Sequence, residues 1–154
     1  MADPNNIREM KEEDLGRVCE IWLKEIKETS PALISEEPWE SKLPNLKSEA
    51  QDSKNQRYVY EEAGKIKGFI IAGILNGSPY LYELYVDDQR KGIGTILLDK
   101  IRKIYRYLES DVYKCNPYLK FYLKCGFEDI REHLCHDTGC VKLRIRWELN
   151  KGRA

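Results

Sequence analysis

Leu84-Tyr85-Val86-Asp87-Asp88-Gln89-Arg90-Lys91-Gly92-Ile93-Gly94-Thr95 changes character three times within twelve residues. An apolar, aromatic run fit for a strand comes first, and a loop with two cations follows. Two glycines then open a stripe of Ile93, Ile96, Leu97, Ile101, Ile104 and Leu108 at helical spacing. Such a strand–loop–helix unit exposes the amide N–H groups of the helix's first turn, which lack intrahelical partners. The helix dipole adds positive potential at that end, and glycine lets the backbone take positive φ and approach a bulky anion. Arg90, Lys91 and the Thr95 hydroxyl would complete a site suited to a pyrophosphate. A capped turn with two solvated cations is the plainer reading of the same residues. The segment is not a Walker loop, since no Gly-Lys-Ser/Thr follows, and it lacks the third glycine of a dinucleotide fingerprint.

Upstream, 6–10 reads as a short strand, and Leu15, Val18, Cys19, Trp22 and Ile26 recur at helical spacing over 12–26. The stretch 29–56 holds three of the six prolines and many charges. It is expected to be a mobile connection with one short helix near 44–51, serving either as a lid or as a tolerated surface insertion. Strands are expected over 57–62, 66–75 and 80–87, with turns at Ala63-Gly64-Lys65 and Asn76-Gly77-Ser78. Downstream come a strand over 111–115, a short helix over 117–125 ended by Gly126, and closing strands over 127–135 and 140–149. This order implies one domain over 1–154, built on a mixed α/β sheet with the quoted unit at its centre.

The bulk composition is globular: 42% hydrophobic and 34% charged residues in 154. Lysine plus arginine and aspartate plus glutamate are both 26. That balance supplies no basic footprint for nucleic acid. The longest apolar stretch, 68–75, is too short for a membrane span, and no signal-peptide core stands at the N-terminus. The expectation is a cytoplasmic protein with neither nucleic-acid nor membrane partners. Five scattered cysteines argue against a disulfide framework. His133, Cys135, His136 and Cys140 cluster locally, but their spacing fits no zinc motif, so a hairpin turned by Asp137-Thr138-Gly139 is expected and no metal.

Gln89-Arg90-Lys91-Gly92-Ile93-Gly94 resembles the Q/R-x-x-G-x-G/A signature of the GNAT superfamily of acetyl-CoA-dependent N-acetyltransferases, and Leu84–Asp87 resembles that family's fourth strand. A second segment, Asn116 followed by Phe121-Tyr122-Leu123-Lys124-Cys125-Gly126-Phe127, resembles the family's N…FY-x-x-GF stretch. The resemblance implies a mostly antiparallel sheet of about seven strands with helices on both faces. It also implies transfer of an acetyl group from acetyl-CoA to a primary amine of a small molecule or peptide. Cofactor contacts are expected from the backbone of Leu84, Tyr85 and Val86 and from Gln89, Arg90, Lys91, Gly92, Ile93, Gly94 and Thr95. Asn116 is expected on the pantetheine, and Lys124 with Tyr118 at the adenosine end. Asn116 stands six residues before Tyr122 where many members have seven, and Pro117 follows it directly, which makes the helix start tighter than usual.

Tyr122 matches the family's general acid; otherwise it is a core tyrosine. Glu83 is the only carboxylate inside the fourth strand and the expected base, with Tyr80, Tyr82, Asp111 and ordered water as rivals. Strict alternation sets Glu83 opposite Leu84, and a bulge would alter that parity. Trp39, Tyr80 and Tyr82 are expected to line the acceptor site. A catalytically silent CoA-binding sensor is the alternative function, and a homodimer paired through the edge of 140–149 is a further expectation.

Overall fold

The computed structural model describes residues 1–87 and 92–149. Seven strands form one sheet: β1 (Ile7–Glu9), β2 (Gln56–Glu62), β3 (Lys65–Leu75), β4 (Ser78–Val86), β5 (Tyr107–Tyr113), β6 (Glu128–Leu134) and β7 (Val141–Glu148). Their spatial order is β1-β2-β3-β4-β5-β7-β6. Every neighbouring pair is antiparallel except β4 and β5. The helices are α1 (Leu15–Thr29), α2 (Leu43–Gln51), α3 (Ile93–Arg102) and α4 (Leu119–Lys124).

Two cores result, one on each face of the sheet. The first joins Val18, Ile21, Trp22 and Ile26 of α1 and Leu46 and Ala50 of α2 to Val59, Phe69 and Ile71. The second joins Ile93, Leu97, Leu98 and Ile101 of α3 and Tyr122 of α4 to Ile70, Leu81, Leu108, Val112 and Ile145. Because β3 is covered on both sides, Phe69, Ile70, Ile71 and Ala72 are all fully buried, which explains its unbroken apolar run. No helix among the described residues is long and apolar enough to cross a membrane.

Two expectations are corrected. The apolar stripe taken as one helix through Leu108 ends at Arg102. Ile104 is exposed, and Leu108 belongs to β5, where Leu108, Ser110 and Val112 alternate inward. Leu108 fits the helical spacing because it fills the same core from the adjacent strand. The segment 140–149 is also not an edge: β7 lies between β5 and β6, and the edges are β1 and β6. The turn at Gly139 (φ 72°) folds β7 back inside its hairpin partner. That partner, β6, is almost wholly exposed and carries Glu128, Asp129, Arg131, Glu132 and His133, charges and polar groups that blunt an edge.

The stretch 29–56 is anchored. The Ile34 amide donates to the Asp137 carbonyl (2.7 Å), and Lys27 pairs with Glu40 (2.8 Å). The Trp39 ring meets Trp22 edge-on at 6.3 Å. Pro44 lies in the first turn of α2, where its missing N–H costs nothing.

Candidate active site

Strand β4 is regular against β3 except at Tyr82. Ile71 faces Glu83 and Ala72 faces Leu81, so Tyr82 is an extra residue on β4, a β-bulge. The bulge lies one residue before Glu83, and Glu83 and Leu84 therefore remain on opposite faces. Leu84 packs against the α3 core, while Glu83 turns toward α1 and α2. On its other side β4 meets β5 in parallel at Tyr80↔Glu109, the single ladder position between them among the described residues. The Ser110 hydroxyl donates to the Leu81 carbonyl (2.8 Å) just beyond it.

From there the two strands diverge around a cleft of about 460 Å³. Its walls include β4 from Tyr80 to Val86, the start of α3 at Gly92, Gly94 and Thr95, and Asn116 and Tyr122. Glu25, Trp39, Lys42 and Lys142 also line it. The cleft thus joins the start of α3 to Glu83 and the aromatic residues expected at the acceptor site. Gln89, Arg90 and Lys91 lie outside the described residues. Lys124 is exposed on α4, outside the lining of the cleft.

The two glycines of α3 do different work. Gly92 is left-handed (φ 78°), and a Cβ added there would meet no described residue within 4 Å. At Gly94 a Cβ would come within 3.3 Å of Phe121 Cζ, so this glycine admits α4 against α3. Burial raises the Cys125 thiol, and the Thr95 side chain, which also lines the cleft, offsets part of that rise. Asn116 Oδ1 accepts from the Tyr118 amide (2.8 Å), a short turn that starts α4 after Pro117. Tyr118 in turn reaches α1, its hydroxyl 3.5 Å from Glu25 Oε1. Burial, then the charges of Glu25 and Glu28, push the Tyr118 phenol up to about 12.

Tyr122 is 8% exposed, with its ring edge-on to Phe121 and Phe127 at 5.2 and 5.6 Å. Burial raises its phenol, and the nearby Glu83 adds to the effect, so it carries its proton at neutral pH. Glu83 Oε1 accepts from Trp22 Nε1 (3.2 Å). Burial raises the Glu83 carboxyl well above the ordinary range, and the adjacent Glu49 raises it further by charge and hydrogen bond. Glu49, on α2, is also pushed up by burial, which its hydrogen bond to Glu83 partly offsets. Its position on the sequence carried a signal: it is three residues after Leu46 and beside Ala50, both buried, so it shares the inward face of α2.

Asp111, the other carboxylate near the cleft, is in the opposite state. Arg144 holds it through Nε (2.8 Å) and NH2 (3.0 Å), and the Tyr80 hydroxyl donates to it (2.6 Å). Burial works against its ionisation, but these bonds outweigh burial and keep it below the usual carboxylate range. A carboxylate so paired is a poor base, and Tyr80, with its phenol raised by burial and by Asp111, is tied to it. Replacing Arg144 by Met removes the cation from Asp111 and from Glu109. The variant is expected to lose about 2 kcal/mol of stability, lowering the melting midpoint by roughly 4–8 °C in thermal denaturation followed by circular dichroism.

The His/Cys cluster is dispersed into such contacts. His133 Nε2 lies 3.2 Å from Asp111, and the Cys135 thiol 3.3 Å from the Tyr113 hydroxyl. Among the described residues no group of three His, Cys, Asp or Glu side chains is placed to hold a metal.

A family model described as an acetyltransferase (GNAT) domain matches residues 53–129. Among solved structures, the PaiA N-acetyltransferase of Thermoplasma acidophilum in complex with coenzyme A aligns at a TM-score of 0.76 and 22% identity, covering 92% of this chain and 97% of that one. The ribosomal-protein-alanine N-acetyltransferase of Brucella melitensis aligns at 0.71 and 20%, covering 93% and 99%. The ribosomal-protein-S18-alanine N-acetyltransferase of Escherichia coli aligns at 0.68 and 17%, covering 93% and 92%. At these identities the alignments establish the fold. Comparison with curated protein sequences finds no match.

Proposed function

The chain belongs to the GNAT acetyltransferases, and from that premise we propose that it transfers an acetyl group from acetyl-CoA to a primary amine of a small molecule or peptide by direct attack in a ternary complex, in the cytoplasm. The observation that carries the reading is the cleft between the diverging β4 and β5. It joins a helix start with a left-handed glycine to a buried, protonated tyrosine and an unusually basic carboxyl.

In this reading the pyrophosphate lies against the N–H groups of Ile93, Gly94 and Thr95, with Gln89, Arg90 and Lys91 completing the loop. The pantetheine arm runs along the backbone of Leu84, Tyr85 and Val86. The Leu84 amide supports the thioester oxygen as it gains charge. Asn116 meets the arm through Nδ2, because its Oδ1 is engaged by Tyr118. The acceptor enters past Trp39, Tyr80 and Tyr82 as an ammonium ion. Glu83 takes one proton and frees the nitrogen lone pair. Nitrogen then attacks the carbonyl, the C–S bond breaks, and Tyr122 gives its proton to the sulfur. The second proton released by nitrogen returns to Tyr122 directly or through water, so the products are the amide and CoA thiol.

The test is a thermal-shift titration with acetyl-CoA and CoA, followed by thiol release against amino acids, alkyl diamines, an aminoglycoside and peptides with free N-termini. Stabilisation by both CoA species and amine-dependent thiol release are expected. Absence of any shift would sink the cofactor reading, and a shift without release from any amine would favour a CoA sensor. Tyr122→Phe should keep the CoA shift and slow thiol release about 100-fold, the scale of a lost general acid. Wild-type release in that variant would remove Tyr122 from the mechanism.

A further inference from the structure

A four-residue turn, His136-Asp137-Thr138-Gly139, separates two of the five cysteines. The register of β6 on β7 pairs His133 with Lys142 and Leu134 with Val141, so the next rung sets Cys135 opposite Cys140. The Cys135 amide donates to the Cys140 carbonyl (2.8 Å), which fixes that rung, and the Gly139 amide donates to the Cys135 carbonyl (2.7 Å). The Cys140 amide turns to the Thr138 hydroxyl (3.2 Å). Strand residues alternate between faces, so both thiols share the face of His133 and Lys142. That face borders the cleft, whose lining includes Cys135, Asp137 and Lys142. In a hydrogen-bonded antiparallel pair the Cα atoms stand about 5.5 Å apart, inside the range of roughly 4.4–6.8 Å that a disulfide spans. Both cysteines are free thiols and half-buried.

We propose that Cys135 and Cys140 are a reversible redox pair, oxidised by a small-molecule disulfide to a cross-strand bond that disturbs the acceptor side of the cleft. The Cys135 thiolate attacks one sulfur of the small disulfide, forming a mixed disulfide and releasing one small thiolate. Cys140 then loses its proton and attacks the Cys135 sulfur, and the second small thiolate leaves. Two protein thiols are oxidised to one disulfide, the small disulfide is reduced to two thiols, and the two protein protons pass to them. Cys135 is the better first nucleophile. Burial works against its ionisation, but polar groups of the turn and the Tyr113 hydroxyl, 3.3 Å from its sulfur, outweigh burial and hold the thiol below its ordinary value. Cys19 on α1 and Cys125 after α4 are raised by burial instead. In the reducing compartment proposed above, such a bond is transient and reports oxidation.

The turn between the two thiols also holds the 29–56 stretch, which carries Trp39. The Asp137 carbonyl accepts from the Ile34 amide (2.7 Å), and its carboxylate lies 3.5 Å from Lys42. Ile34 packs on Gly139, where an added Cβ would come within 3.1 Å of Ile34 Cδ1. Bonding to Cys140 swings the Cys135 sulfur away from the Tyr113 hydroxyl and shifts the turn beneath Ile34 and Lys42. Tyr113, Lys42 and Asp137 all line the cleft, so its acceptor side changes with them. Helix α3 packs on the other face of the sheet, and its first turn takes no part in these contacts. Oxidation therefore acts on the acceptor and spares CoA. This consequence rests on the proposed acceptor site, whereas the pairing of the two thiols does not.

The whole chain is incubated with glutathione disulfide, its remaining thiols are blocked with N-ethylmaleimide, and tryptic peptides are weighed. Cleavage after Arg131 and Lys142 leaves both cysteines in peptide 132–142. That peptide should be unblocked and lighter by two hydrogens, and dithiothreitol should restore it. Cys140→Ser should stop as a glutathione adduct on Cys135, because the second thiol is missing. Wild-type protein carrying only glutathione adducts, or a bond to Cys19, Cys115 or Cys125, would overturn the pair. Two further readouts compare oxidised and reduced wild type. The KM for the amine of the panel with the fastest thiol release should rise about fivefold on oxidation, the scale of one lost contact, while the CoA thermal shift stays the same. Amide exchange at Ile34 should quicken in the oxidised form, a measurement that needs no acceptor. An unchanged KM and unchanged Ile34 exchange in fully oxidised protein would overturn the action on the acceptor side. If no amine releases thiol, the acceptor reading fails by itself, and peptide 132–142 with Ile34 exchange still decides the redox pair.

Discussion

Glu83→Gln is expected to lower kcat for amine-dependent thiol release by about 10²–10³, within the range of a lost general base, while the thermal shift with CoA stays as in the wild type. The sizes differ because Glu83 faces α1 and α2, whereas Leu84, on the other face of the strand, borders the proposed pantetheine path. Loss of the carboxylate therefore leaves the proposed cofactor contacts in place. Stability should move in the other direction from activity. Glu83 has a raised carboxyl in the folded chain, so over the pH range above its unfolded value the folded state holds more protons than the unfolded one. Stability then falls as pH rises through that range. A glutamine takes no part in this loss. The melting midpoint of Glu83→Gln should equal or exceed that of the wild type at pH 8, with the gap closing toward pH 4. A variant that is both less active and markedly less stable at pH 8 would mean Glu83 is a structural group. Unchanged kcat would mean that another group or water accepts the proton.

The elements around this site differ in how far they can be read from the chain alone. The strand–loop–helix unit is legible because its signals are local: apolar β4, then glycine, then an i, i+4 stripe. Tyr122 is legible for a similar reason, since Gly126 (φ 94°) ends the short helix that holds it. Leu108 misleads because a strand and a helix packed into one core contribute apolar residues whose spacing happens to run on. The position of β7 is not local either: it depends on which side of its hairpin pairs with β5. Glu49 shows the limit most clearly. Its inward placement follows from Leu46 and Ala50, but its partner is 34 residues away on a strand whose facing depends on the bulge at Tyr82. Asp111 and Glu83 look alike as strand carboxylates, and only Arg144, brought in by the β5–β7 register, separates an ion-paired acid from a basic one.

Gly92→Val is expected to abolish the CoA-induced thermal shift while leaving a folded protein. With ligand at 100 times its Kd, the wild type should gain about 2.7 kcal/mol, which corresponds to roughly 5–10 °C for a chain of this size. Valine at φ 78° bears two separate penalties. A left-handed conformation costs a residue with a Cβ about 1–2 kcal/mol, and β-branching makes the fit worse. The unliganded protein should therefore melt a few degrees lower. The second penalty falls on binding: no described residue comes within 4 Å of a Cβ at Gly92, and a branched side chain would occupy the ground on which the pyrophosphate is proposed to lie. Gly92→Ala separates the two, because it keeps most of the backbone strain and adds only one carbon. It should melt near the valine variant yet retain a measurable CoA shift. Gly94→Ala provides a second contrast, since its Cβ would press on Phe121 and loosen the α3–α4 contact. That variant should lose stability first and CoA affinity only as a consequence. If Gly92→Val shows the full wild-type shift, the start of α3 does not hold the phosphate, and the cofactor must enter the cleft by another path.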